Sequence, residues 1–124
     1  MFELTINDKV YKFNFGMGFL REANKRVKMP VDGLHGVEKN IGLQYTIACL
    51  IDNDLEALVD VLDMANKAFT PRVTRAELDS YVESEETDID KLFEDVLDFL
   101  KNANATRKAA RAILETVEMK QNQK

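Results

Sequence analysis

One histidine, one cysteine and a handful of closely spaced acids are the groups in this sequence that could make or break bonds. His35, flanked by glycines in Gly33-Leu34-His35-Gly36, would serve as a general base only beside a nucleophile within hydrogen-bond reach. No serine, cysteine or threonine signal nominates one, so His35 reads as an exposed loop residue. Cys49 lies among Ile47, Ala48, Leu50 and Ile51, which marks a small buried apolar residue and not a reactive thiol. Asp52, Asp54 and Glu56 have the alternate spacing that opens a calcium loop. The sixth position of that loop needs glycine and the twelfth glutamate, whereas Ala57 and Asp63 stand there, so the acids read as a helix cap. Asp88 and Asp90 have the same reading, because carboxylates favour the positive end of a helix. Gly16-Met17-Gly18 opens a helix after a strand, as in a dinucleotide-binding turn, but Arg21 occupies the third glycine position and no βαβ unit precedes it. No nucleophile–base pair, metal set or phosphate loop remains, and the chain reads as a non-enzyme with no cofactor.

The polar residues are instead segregated by sign. Glu77 to Asp98 holds ten carboxylates against Lys91 alone. The first hundred residues carry 11 bases and 20 acids, a net of −9, and Lys101 to Lys124 carries +4, which together give the overall −5. The acidic window has two readings. It is a solvated helical face, or it is an electrostatic docking surface for a basic partner, with Glu83, Glu86, Asp90 and Glu94 as its members. The basic end, with Arg107, Lys108 and Arg111, is a frayed solubilising tail, a recognition helix that orders on binding, or a self-inhibitory segment folded onto the acidic face. The acidic balance argues against nucleic acid as a partner. No apolar run approaches the ~20 residues of a membrane span. A lone cysteine excludes a disulfide framework and, with no signal peptide, points to a cytoplasmic setting.

The elements that must position these charges follow from periodicity. Phe2, Leu4 and Ile6 alternate with Glu3 and Thr5, and Asn7-Asp8 supplies a two-residue turn. That turn pairs Phe2 with Phe13, Leu4 with Tyr11 and Glu3 with Lys12, which places the apolar side chains on one face of a hairpin. The rest reads as helices, so that apart from the hairpin the chain is all-alpha. A first helix runs from Gly16 or Met17 to Lys28, with Lys25, Arg26 and Lys28 in its last turn and Pro30 ending it. Val31 to Gly36 is a loop. A second helix, Val37 to Ile51, is apolar on nearly every side and is the candidate central helix, with Gly42 permitting close packing against the hairpin. Asn53 or Asp54 caps a third helix whose inner stripe is Leu55, Leu58, Val59, Leu62 and Ala65. Thr74 and Glu77 form a capping box for a short fourth, with Leu78, Tyr81 and Val82 inward. Asp88 caps a fifth, with Ile89, Leu92, Phe93, Val96, Leu97 and Leu100 as its stripe. Thr106 to Met119 continues as a sixth with a thin apolar face (Ala109, Ile113, Val117), and Gln121 to Lys124 fray. The expected fold is α+β, mainly α: an N-terminal β-hairpin on a bundle of five to six short helices. Residues 1–105 form the body and residues 106–124 a basic C-terminal helix or tail.

The collinear order of these pieces carries a resemblance. The hairpin "LTINDKVYKFNFGMGFLREANK" is followed by "IGLQYTIACLIDND", "LEALVDVLDMANKA", "TPRVTRAELDSYVES" and "DIDKLFEDVLDFLKNANATRK". From about Met1 to Lys108 the chain resembles the tail assembly chaperones of long-tailed phages and prophages of Gram-positive bacteria. Where that family tends to have glycine in the hairpin turn, this chain has Asp8. The resemblance implies a viral protein of the host bacterial cytoplasm that works through protein–protein interaction. It would coat and solubilise the helical tape measure protein, help recruit tail tube subunits, and be absent from the mature virion. It also implies a longer frameshifted product, a feature only the coding sequence records. Self-association is a further expectation. The family brings no agreed catalytic or binding residues. Two rival classes stay open at this point: a small acidic regulator or inhibitor that masks a basic surface, and a structural head–tail connector.

Overall fold

The computed structural model describes residues 2–122, and the side chains of residues 2–119. Strands β1 (Phe2–Ile6) and β2 (Lys9–Phe13) form the expected antiparallel hairpin, with every predicted pair from Phe2–Phe13 to Ile6–Lys9 in place. Asn7 and Asp8 both adopt left-handed backbone, φ 53° and 65°, as a two-residue turn between right-twisted strands requires. Asp8 therefore does the work of the glycine usual there. The apolar face is covered by helices: Phe2 meets Phe13 at 5.7 Å and Phe99 at 5.0 Å, both edge-on, and Phe15 meets Phe19 at 5.2 Å. Full burial of such rings contributes about 1.5–3 kcal/mol each, which is how helices stabilise an otherwise marginal two-stranded hairpin.

The next segment departs from expectation. Helix α1 is Met17–Asn24, and Lys25 is its C-cap; Arg21, not Lys25, Arg26 or Lys28, lies in its last turn. Lys28–Pro30 (β3) and Glu38–Asn40 (β4) form a second antiparallel ribbon, so the chain is not all-alpha outside its first hairpin. Pro30 does not end a helix. It disfavours helical backbone at the residue before it, and Met29 is extended accordingly. Gly33 and Gly36, at φ 79° and 78°, reverse the chain in the intervening loop.

Helix α2 is consequently the shorter Gly42–Ile51. It is not buried all round: Tyr45 is 56% exposed, and Ala48, Cys49 and Ile51 are half-buried. Gly42 does permit close packing, but against α1 and not the hairpin; a β-carbon there would collide with the carbonyl oxygen of Ala23. The Leu43 N–H donates to Asn24 Oδ1 at 3.1 Å across the same contact.

Helix α3 (Leu55–Asn66) is the more central one, with Leu58, Val61 and Leu62 fully buried. Asp54 caps it, its carboxylate accepting from the Ala57 N–H at 3.2 Å. Leu55 is exposed and leaves the predicted inner stripe; Val61 and Asn66 are buried in addition. Helix α4 (Arg75–Glu83) starts with the predicted Thr74–Glu77 capping box, and α5 (Ile89–Asn102) with Asp88 accepting from the Lys91 N–H at 3.0 Å. Helix α6 (Arg107–Asn122) lies against α2 and α5. Its start is tied down: Thr106 and Ala110 are fully buried, and the Thr106 hydroxyl donates to the Leu100 carbonyl at 2.7 Å. Ala109, Ile113 and Val117 are half-buried. Helix α6 continues through Gln121 and Asn122, where fraying was expected, and residues 123–124 lie outside the described residues. The whole is α+β, mainly α, with six helices among the described residues.

Candidate partner-binding surfaces

The groups with chemical potential are dispersed. His35 is exposed in the β3–β4 loop. Cys49 is half-buried, not enclosed, and lines a cleft with Val27, Tyr45 and Thr46. Asp54 is occupied as a cap, with Asp52 and Glu56 exposed beside it.

Several acids hold the fold together. Asp60 accepts from Arg75 at 2.7 Å and lies 3.4 Å from Arg26; Asp63 pairs with Arg72 at 3.0 Å. This network ties the turn after α1 to α3 and α4, and the Asp60 hydrogen bond raises the Arg75 pKa further. Glu77 bridges two elements. One of its oxygens closes the capping box on Thr74 at 3.0 Å, and the other accepts the Tyr11 hydroxyl at 2.6 Å. The Tyr11 bond, followed by those from Thr74, holds the Glu77 carboxyl below the ordinary glutamate value, and the same bond raises the Tyr11 phenol. Burial raises the Tyr81 phenol.

Within the acidic window, then, Glu77 and Asp88 are caps, Asp95 pairs with Lys91 at 3.4 Å, and Asp98 lies 3.9 Å from Lys101. Among the described residues Asp79, Glu83, Glu85, Glu86, Asp90 and Glu94 have no ion-pair partner. The predicted Glu83, Glu86, Asp90 and Glu94 are all exposed, grouped at the α4–α5 corner and along the first turns of α5. Arg107, Lys108 and Arg111 are exposed on the first turns of α6. Among the described residues no ion pair joins them to the window, so these three bases are not folded onto it. The acids stand before α5 and on its first half, and the bases follow its C-terminal end; Asp90 and Asn102 are separated along the axis by about 18 Å at 1.5 Å per residue.

Two features escaped sequence reasoning. One is the β3–β4 ribbon, exposed along both strands; the alternation Val27, Met29, Val31 was its signal. The other is Asn66, which is fully buried. Its amide donates to the Lys12 carbonyl at 2.9 Å and the Pro71 carbonyl at 3.3 Å, and its oxygen accepts from the Val73 N–H at 2.7 Å. Among the described residues no helix is long and apolar enough to cross a membrane.

These observations define a small α+β domain whose open polar groups form separate charged surfaces suited to meeting proteins. The chain belongs to the phage tail assembly chaperone proteins: the model of that family, TAC, matches residues 3–115, from the first hairpin through the buried start of α6. No curated protein and no solved structure matches it.

Proposed function

We propose that this chaperone binds and solubilises the tape measure protein in the host bacterial cytoplasm, recruits tail tube subunits to it, and leaves the assembly before the virion matures. It acts by binding alone, without catalysis. The reading divides the labour: residues 1–105 hold the tape measure protein, and the basic C-terminal segment, residues 106–124, meets the tube subunit. The observation that supports it is the segregation by sign of charges without an ion-pair partner among the described residues: Glu83, Glu86, Asp90 and Glu94 stand before α5 and on its first half, and Arg107, Lys108 and Arg111 follow its C-terminal end. Two such surfaces can engage two partners at once, and surface charge of this kind speeds encounter while leaving the complex easy to dissolve.

The test is co-expression with the tape measure protein, then addition of tube subunits. Deleting residues 107–124 would also remove the buried Ala110 and unsettle α2 and α5. Charge reversal of Arg107, Lys108 and Arg111 to Glu is therefore the cleaner perturbation. It should leave the tape measure protein soluble and abolish tube-subunit capture, and capture by the unaltered chain should weaken as salt shortens the screening length. Tube capture that survives the reversal ends the division of labour, and finding the chain in purified particles ends the chaperone reading.

A further inference from the structure

The first hairpin has two edges, and the fold closes only one of them. Its two-residue turn makes Ile6 and Lys9 a hydrogen-bonded pair, so Phe2, Leu4 and Ile6 bond inward across the hairpin and the backbone groups of Glu3 and Thr5 turn out. The far edge shows the same parity. Lys12, opposite Glu3, also turns out, and its carbonyl accepts from the Asn66 amide of α3 at 2.9 Å. The Asn14 N–H just beyond donates to the Ala65 carbonyl at 2.9 Å, so α3 closes the β2 edge. Among the described residues no hydrogen bond reaches the N–H or C=O of Glu3 or Thr5. Edge strands are usually guarded by proline, lysine or a bulge. The second ribbon has such guards, Lys28 and Pro30 in β3 and Lys39 in β4. Strand β1 has none, and its register is unbroken.

This open edge runs into a cavity. Thr5 also lines a polar space of about 440 Å³ between the hairpin turn and the α4–α5 corner, together with Ser80, Ser84, Glu77, Glu86 and Asp88. No base is in the lining; Lys9 acts on Glu77 from outside it. Glu77 is engaged by Tyr11 and Thr74, and Asp88 uses one oxygen on the Lys91 N–H. The exposed Glu86 carboxylate and the second Asp88 oxygen stay open.

We infer that the β1 edge is completed by an extended, basic segment of another protein, which adds a third strand to the hairpin and places a Lys or Arg in the cavity. The outward N–H and C=O groups alternate at strand spacing, which selects an extended occupant over a helix. The open carboxylates at the Thr5 end select a base there, since a charge-assisted hydrogen bond is the strong kind. Leu4 is half-buried, and an apolar residue of the added strand opposite it would cover the remainder. A second copy of β1 fits less well, because Phe2–Ile6 contains no base to bring to the cavity.

The inference goes beyond the division of labour above and can fail without it. The probe is a synthetic peptide of alternating valine and threonine with lysines at one end, titrated into the full chain and followed by amide hydrogen exchange. The expected result is new protection at the Glu3 and Thr5 N–H groups. The same peptide methylated on the amide nitrogens that face the edge keeps its charge but cannot pair, and it should give no protection. Thr5→Pro removes an N–H that has no partner in the fold, so it should leave the melting curve unchanged and weaken the peptide roughly tenfold. Glu86→Gln with Asp88→Asn keeps the α5 cap, because asparagine caps as well as aspartate, and should weaken it comparably at low salt. Binding that leaves Glu3 and Thr5 unprotected, or that methylation does not diminish, overturns the strand. Affinity unchanged in the Glu86 and Asp88 variant overturns the base in the cavity. Protection of Glu3 and Thr5 in a dimer of the chain alone makes the edge a self-interface and overturns the proposal as well.

Discussion

Gly42→Ala sets two physical effects against each other, and the structure decides the sign. Helix propensity favours alanine by up to about 1 kcal/mol, and by less here because Gly42 is the first residue of α2. Packing opposes it. A β-carbon at position 42 would stand 2.9 Å from the Ala23 carbonyl carbon and 3.0 Å from the Asn24 carbonyl oxygen, and closer still to the Ala23 carbonyl oxygen. All of these are backbone atoms, so no side chain can swing aside. Helices α1 and α2 must part by on the order of an ångström, an overpacking strain of about 1–3 kcal/mol. Parting them also stretches the 3.1 Å bond from the Leu43 N–H to Asn24 Oδ1, a further contribution of about 0.5–1.5 kcal/mol. The net expectation is a loss of about 1–3 kcal/mol, a substantial part of the 5–15 kcal/mol typical of a domain. Urea unfolding measures it as a lower midpoint at unchanged slope. Gly18 is the internal control, since a β-carbon there meets nothing within 4 Å and Gly18→Ala should be neutral or stabilising. If Gly42→Ala is as stable as the unaltered chain, the close approach of α1 to α2 is wrong.

Two other perturbations probe the interior. Asn66→Leu keeps the volume but strands the Val73 N–H and the Lys12 and Pro71 carbonyls; at about 1–3 kcal/mol for each buried group left unpaired, the total should reach about 3–5 kcal/mol in urea unfolding, and a loss below about 1 kcal/mol would refute the clamp. Glu77 has a lowered pKa in the fold, so its contribution is present above the ordinary value of 4.5 and is lost as pH falls through the folded value. Tyr11 has a raised one, so its share is present below the ordinary 10.0 and is lost as pH rises through the folded value. Thermal melts from pH 3 to 11 should show the gap between the unaltered chain and Glu77→Gln widest between those limits and shrinking at both ends; a gap independent of pH would break the Tyr11–Glu77 link.

How far the sequence could be read depended on the range of the interactions. The first hairpin was legible to the residue because its register follows from a two-residue period and a turn whose residues tolerate positive φ, all within Phe2–Phe13. The caps at Asp54, Thr74 and Asp88 were legible for the same reason, each being a bond across three residues. The ribbon was misread because Phe19, Leu20, Ala23 and Val27 also fit a helical period and Ile41 extends the apolar run of α2. Two periods competed over the same residues, and the restriction that Pro30 places on Met29 was the deciding local signal. Asn66 offered no signal. It looks like a polar residue closing a helix, and its partner Lys12 lies 54 positions away. Charge segregation was plain in the sequence, but the split between acids that brace the fold and acids open to solvent required knowing that Tyr11 reaches Glu77.

That split bears on why the open acids are clustered. Caps and ion pairs distributed over α3 and α4 satisfy the electrostatic needs of the fold locally, as Asp60 and Asp63 do with Arg26, Arg72 and Arg75. Asp90 lies in the first turn of α5, where a carboxylate suits the helix dipole, but Glu83, Glu85, Glu86 and Glu94 form neither cap nor ion pair among the described residues, and like charges so close together repel. Solubility alone would be served as well by the same charges spread over the surface with both signs mixed. A concentration of one sign before α5 and on its first half, with bases after its C-terminal end, is the arrangement that gains from a partner of opposite charge and relaxes when that partner is screened or displaced.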